Sequence, residues 1–518
     1  MLHRARTAPL TVKVSIYSRD IANDAFFNSL RLALSHIRHI RYLSISFFGA
    51  FYPLDNLFSP LKSDSADILE VLQLSSPPGQ PIYFHPPFKT APKLRRSGLT
   101  RCHTDWKLFY SIGDLTFLNI SDIPVPFRPS TDIILSVLRS MNRLERLGLH
   151  DALPEFPESV RTLPPPEDIV PVRLENLFFI SLSGFVLDCA NLMRQFVMPR
   201  CRQVHLETEA RWPLPEVALA VSPLSNIISS IFNHSNEQVG RYHGTIEQQS
   251  DNEIEIQFGD PSYFIDGLGH YVRVSLTWRP SEHGETIMDT SPGFGRLLLA
   301  LPLGQITHLY ATFSSKEEAH IDSIEWLRII HRLPHVETVS LIGGFTYSFV
   351  NAFLGAHAST SNGLDTAVLP NLSSLFIQHA HFSFPLGDKQ LYSTLTRSLT
   401  RRQQLHLLIP KITLKHCHIT PQQLAALNQL TPESVEYTGE PSTWGVGELD
   451  DDSSGEDDSN GEDDSNGEDD SNDEDDSNGE DDSNDEDDSN GEDDSNDEDD
   501  SNDEDDSNDD DNSDDDDN

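Results

Sequence analysis

A short apolar beat, apolar-x-x-apolar-x-apolar, returns along most of this chain, and a pattern that recurs at so fine a grain leaves few folds open. It appears at Ile40, Leu43, Ile45; at Leu69, Leu72, Leu74; at Leu115, Leu118, Ile120; at Leu144, Leu147, Leu149; and at Leu177, Ile180, Leu182. It returns at Cys201, Val204, Leu206; at Val336, Val339, Leu341; at Leu372, Leu375, Ile377; and, in weaker form, at Ile306, Leu309, Ala311. The last two positions of each beat are two residues apart, so they share one face of a short strand. The first falls in the turn leading into that strand. Pro199, Pro334 and Pro370 each stand two residues ahead of a beat.

Helical stripes precede several beats. Ser130-Thr131-Asp132 reads as a cap, followed by Ile133, Ile134, Val137, Leu138 and Met141 on one helical face. Ile321, Ile324, Leu327 and Ile330 do the same before Val336, with Pro334 as the stop. Phe26, Phe27, Leu30, Leu34 and Ile37 fill that place before Ile40. A unit of helix, turn and short strand cannot bury its apolar sides alone. Stacking units with strands parallel and helices outside buries both. The expectation is therefore an α/β fold: an irregular leucine-rich-repeat-like solenoid over residues 1–440. The asparagine ladder of regular repeats is missing. Near 225–284 the pattern breaks: Ile254, Ile256, Phe258 and then Tyr271, Val272, Val274, Leu276 alternate with polar residues and predict strands, in an insertion or in repeats too degraded to recognise.

Residues 441–518 are different material. From Glu448 onward there are 42 acidic residues and no Lys or Arg, so the 83 Asp+Glu and 37 Lys+Arg of the chain leave 41 acids against 37 bases in residues 1–447, a net of -4 out of -46. From Gly455, nine consecutive GEDDSN or DEDDSN hexamers run to Asn508. Such a segment has nothing apolar to offset its chain entropy, and a disordered, low-complexity acidic tail is expected. Each hexamer serine has an acid three residues on, the pattern of acidophilic kinase acceptors. Ser459, Ser465, Ser471, Ser477, Ser483, Ser489, Ser495, Ser501 and Ser507 are the candidate phospho-acceptors. The tail also predicts basic partners, such as histones or ribosomal proteins.

The opening Arg6-Thr7-Ala8-Pro9-Leu10-Thr11-Val12-Lys13-Val14 and the loose Pro-x-Leu-x-x-Leu-x-Leu beats together resemble the fungal F-box proteins with irregular leucine-rich repeats. The resemblance covers roughly residues 4–430. It implies a substrate-recognition protein, whose repeats hold a protein target and whose F-box docks on the adaptor of a cullin ubiquitin ligase. The F-box of that family would stand before Arg4, where only Met1-Leu2-His3 is found, so ligase subunits are implied as partners only if an F-box lies upstream.

No recognisable catalytic, cofactor or metal motif accompanies these repeats, and an enzyme is not expected. Phosphate-loop, zincin and nucleophile-elbow patterns are absent from the sequence. In His416-Cys417-His418 the two histidines alone could face one ion, short of the four ligands of a structural zinc site. Cys102-His103 places base beside thiol in sequence, an arrangement that seldom makes a nucleophile. Apolar runs long enough to span a membrane are missing, and the charge balance argues against direct nucleic-acid binding. Four scattered cysteines and no secretory leader predict a cytoplasmic or nuclear protein.

Overall fold

The computed structural model describes residues 8–439 with interruptions, the longer ones at 49–56, 58–64, 156–162, 164–169, 211–218, 230–241, 261–268, 279–297, 314–320 and 359–367. The chain divides into two units, 1–446 and 447–518. The second unit carries the hexamers and all nine candidate phospho-acceptors, and it lies outside the described residues.

Among the described residues the dominant element is a mixed, mostly parallel sheet of 16 strands. In chain order these are β1 (Leu10–Tyr17), β2 (Ile40–Phe48), β3 (Val71–Ser75), β4 (Arg96–Thr100), β5 (Phe117–Ser121), β6 (Arg146–His150), β7 (Phe179–Phe185) and β8 (Gln203–Ala210). They continue as β9 (Tyr242–Ser250), β10 (Glu253–Gly259), β11 (Tyr271–Trp278), β12 (Ile306–Phe313), β13 (Thr338–Ile342), β14 (Ser374–Gln378), β15 (Lys411–Lys415) and β16 (Glu436–Thr438). Strands β1 to β8 lie side by side in sequence order, as do β12 to β16. Between them the order reverses to β8-β11-β10-β9-β12.

Every beat named above lands in this sheet. Its first residue enters the strand, its last two face the core, and all are buried at 4% exposure or less. Registry places beat on beat: Leu43 opposite Leu72 and Ile45 opposite Leu74, then Leu147 opposite Ile180 and Leu149 opposite Leu182. Two further strands belong to the series. Ile409, Ile412 and Leu414 form an unbroken beat that the sequence reading passes over, and Leu94, Ser97 and Leu99 form one in which a buried serine holds the middle position.

The strand ends repeat as closely as the strands. Arg101, Asp122, Asp151, His379 and His416 each follow a strand and adopt left-handed backbone, with φ between 47° and 58°, and Gly343 does so at 72°. This kink costs a non-glycine residue about 1 kcal/mol, and the kinked residue's own amide reaches the neighbouring strand: Asp122 N donates to His150 O at 2.8 Å and His416 N to Thr438 O at 3.1 Å. One residue later a small or apolar side chain turns back into the core: Cys102, Ile123, Ala152, Ala380 and Cys417. At two of these rungs a thiol donates across to the preceding strand. Cys102 Sγ reaches Leu74 O at 3.8 Å and Cys417 Sγ reaches Ile377 O at 3.4 Å.

Helices cover part of the core face. Helix α1 (Asp24–Leu34) is capped by the Asn23 side chain, and α2 (Thr131–Arg139) by Ser130, as its sequence predicts. Helix α3 (Val186–Met193) follows β7, and α4 (Ser323–Ile330) precedes β13. Then come α5 (Phe345–Ala358), α6 (Leu391–Gln404) and α7 (Pro421–Asn428). Trp326 of α4 packs edge-on to Phe345 and Phe349 of α5 at 5.8 and 5.2 Å between centroids. Not every unit has a helix: between β4 and β5 the described crossover is a short 3₁₀ helix, Trp106–Ser111, with Trp106 and Phe109 buried.

The segment near 225–284, expected to be strand-rich, holds three strands among its described residues. Strand β9 has Gly244 at one of its inward positions, so its alternation is too weak to read from sequence. Strand β10 runs antiparallel to both neighbours, whereas β9 and β11 run parallel to β12 and β8. The sheet thus passes through the segment without a break.

Candidate functional site

The residue between the last two positions of each beat faces away from the core, because side chains alternate along a strand. Parallel registry stacks these outward residues into rows that cross the whole sheet. One row begins Lys13, Ser44, Gln73, Gly98, Asn119, Gly148, Ser181 and His205, and crosses to Arg273. A second, at the N-terminal ends of the strands, reads Tyr42, Val71, Arg96, Phe117, Arg146, Phe179, Gln203 and Tyr271. Most of these side chains are exposed or half-buried, in contrast with the beats beside them.

Chemistry on this open face changes along the sheet. From β1 to β7 it is hydroxyl, amide and aromatic, with Lys13, Arg96, Arg146 and His150 and no carboxylate. Lys13 Nζ lies 4.9 Å from the Tyr42 ring centre, and the Arg96 guanidinium 5.1 Å from that of Phe117. Arg146 lies 4.9 Å over Phe178, just before β7. Tyr42 donates to Gln73 Oε1 at 2.6 Å. Tyr17 and Phe48 stack at 5.4 Å while remaining 44% and 53% exposed. Gly148 has a specific cause: a Cβ there would meet Asn119 Oδ1 at 2.1 Å, so the asparagine amide lies across it.

From β8 to β9 the same face turns acidic. Registry brings Glu207 opposite Ser275, Ser275 opposite Glu255 and Glu255 opposite Glu247, with Glu209 and Glu253 one step further along the strands. Glu255 is the buried member, with its side chain 2% exposed. Arg273 Nη2 donates to its Oε2 at 2.9 Å, Arg273 Nε stands 2.8 Å from Oε1 at a poor donor angle, and Gln257 donates to Oε1 as well. The hydrogen bond from Arg273 to Glu255 raises the Arg273 pKa above its ordinary value. Burial and then the Glu255 charge raise the Glu247 carboxyl. His205 sits between Phe179 and Tyr271 at 5.0 and 5.4 Å, and burial followed by the Arg273 charge lowers its pKa.

Past β12 the face becomes mixed again, with Tyr310, Phe376, Lys411, Lys415 and Glu436. At the C-terminal ends of β14 and β15, four histidines form two stacked pairs. His379 and His416 stand 5.3 Å apart, and His381 and His418 4.3 Å, each pair within 10° of parallel. His416 and His418 therefore face different partners instead of each other, and among the described residues no group of three or more His, Cys, Asp or Glu could hold a metal ion.

The remaining motif residues are structural here. Cys102 is sealed in the core, where burial pushes its thiol up to about 12, and His103 packs its ring against Phe127. Among the described residues no helix is long and apolar enough to cross a membrane. The signal for the open face was present in the sequence at the positions between beat residues. Registry across 16 strands is what turns those scattered residues into rows. No family model matches the chain, and no curated protein matches it.

Proposed function

We propose that this chain is a non-enzymatic protein-binding scaffold: an irregular leucine-rich-repeat-like solenoid that holds a protein target on its open sheet face. The F-box resemblance makes it a substrate-recognition protein linked to ubiquitin-ligase targeting. The observation that carries the reading is the open face itself. Its rows set aromatic, cationic, anionic and amide side chains at a fixed step of about 4.8 Å from strand to strand, on a backbone held by buried beats. Such an array suits a large partner surface better than a small substrate, because recognition is spread over many strands and no cavity is required. The left-handed residues that end six of the described strands and the inward thiols at Cys102 and Cys417 support the repeat reading, since those rungs reproduce one local device.

A photo-crosslinking amino acid placed at Gln73 or Asn119 tests this against the same residue placed at Leu32, 57% exposed on α1. In extract from the native cell, the open-face positions should crosslink to a discrete protein that Leu32 does not reach. Equal or absent crosslinking at both places removes the reading. Ligase subunits among the captured proteins would bear on the F-box assignment separately.

A further inference from the structure

From the charge order along the open face, we infer that the target presents a bipolar segment, acidic and aromatic over β4–β6 and basic over β8–β9. This rests on the protein-binding reading and adds the partner's chemistry to it. Two observations, on different strands, carry it. Outward residues of β1 to β7 include no carboxylate, and the exposed Arg96 and Arg146 have aromatic rings as their neighbours, with no carboxylate partner among the described residues. Outward residues from β8 to β9 include five carboxylates against the single Arg273; Glu255 is buried and paired with that arginine, which leaves Glu207, Glu209, Glu247 and Glu253 to the face. Like charges kept together on one rigid face raise the local potential of each zone, and opposite zones side by side fix the direction in which a partner lies.

The dimensions suit a peptide segment. Arg96 on β4 and Glu253 on β10 lie on strands six steps apart in sheet order, about 29 Å at about 4.8 Å per strand. About nine extended residues cover that distance. A nucleic acid fits less well, because its phosphates would continue over the carboxylates of the second zone. A second copy of this chain fits less well too, since each copy carries a net charge of -46.

The probe is a fluorescent ten-residue peptide with a Glu/Tyr half and a Lys/Ser half, compared with a peptide of the same residues in alternating order. Both are titrated into the full chain at about 0.15 M salt, and the charge-reversed variants below, which carry the same acidic tail, separate its pull on the Lys half from that of the face. The block peptide should bind about tenfold more tightly, a difference of about 1.4 kcal/mol. Arg96→Glu with Arg146→Glu should abolish that preference, and Glu207→Lys with Glu209→Lys should do so independently. Should the reversed charges perturb folding, Arg96→Gln with Arg146→Gln and protection of the two arginines from phenylglyoxal by the block peptide read the same contact. Equal affinity for the two peptides, a preference that survives charge reversal, tighter binding of a single-stranded oligonucleotide, or dimerisation that depends on Arg96 and Arg146 overturns the inference. Face-specific crosslinking with no block preference would retain the scaffold and discard only the bipolar partner.

Discussion

At the scale of single residues, the buried thiols show how one position serves both packing and hydrogen bonding. Cys102 and Cys417 fill the core at 1% exposure and donate to carbonyls of the preceding strand. Burial pushes the Cys102 and Cys201 thiols up to about 12 and Cys417 up to about 11, from an ordinary 9.0. An unfolded chain releases these protons from about pH 9, while the folded chain holds them longer, so alkaline conditions favour unfolding through proton release. The contribution is whole below pH 9 and is lost as pH climbs toward 11 or 12. At pH 10 each such thiol should cost about 1 kcal/mol relative to pH 8. Urea denaturation of wild type and Cys102→Ala at both values checks this. The variant should be less stable at pH 8 and should lose less on going to pH 10; equal losses would separate the thiol from the alkaline transition.

Elements differ in how plainly the sequence announces them. Most strands carrying large aliphatic residues at both inward positions were legible, because two such buried side chains two residues apart stabilise a short strand by about 1.5–3 kcal/mol each; β15, with Ile412 and Leu414, was missed although its beat is complete. Strand β4 was hidden because Ser97 occupies one of those positions, and β9 because Gly244 does. The reversed order β8-β11-β10-β9-β12 was not legible at all, since nothing local to β9 or β11 says which neighbour lies beside it. The histidine pairs at the ends of β14 and β15 were invisible for the same reason: His379 and His416 are 37 residues apart in the chain and meet only through registry. They give this end of the sheet a pH response. His379 is lowered by burial, then by His416 and Lys415; His381 is lowered by burial, then by His418. A histidine whose folded pKa is depressed stabilises the fold above its unfolded value of about 6.5, and that contribution is lost as pH falls below it. Hydrogen exchange should show β14 to β16 opening more readily at pH 5.5 than at pH 7.5, after correction for intrinsic rates, with β2 to β6 unchanged. His381→Gln should reduce the difference. Uniform behaviour across the sheet would assign the effect to something other than the stacked pairs.

Across the whole molecule, two kinds of electrostatics operate at different ranges. The open face uses a handful of charges in fixed positions, whereas residues 448–518 contribute -42 of the net -46 in a stretch with nothing apolar to bury. Diffuse charge of that size draws cations from a distance and is screened within about 8 Å at physiological salt. Fixed pairs held against aromatic rings on a sheet are screened less. Truncation after Gly447 therefore separates the two. The shortened chain, with a net charge of -4 by subtraction, should keep its far-UV circular dichroism. A cationic peptide should associate with it about tenfold or more slowly than with the full chain at low salt. Raising salt to about 0.5 M should erase that kinetic difference, since the Debye length there falls below the spacing between most exposed charges. A target bound by the open face should meanwhile hold comparable affinity with and without the tail. If every partner is lost with the tail at any salt concentration, the folded unit is only an anchor and the basic-protein reading of the tail replaces the scaffold. If partners survive truncation but lose affinity on charge reversal at Arg96 and Arg146, recognition belongs to the sheet, and the tail's part is to speed the encounter.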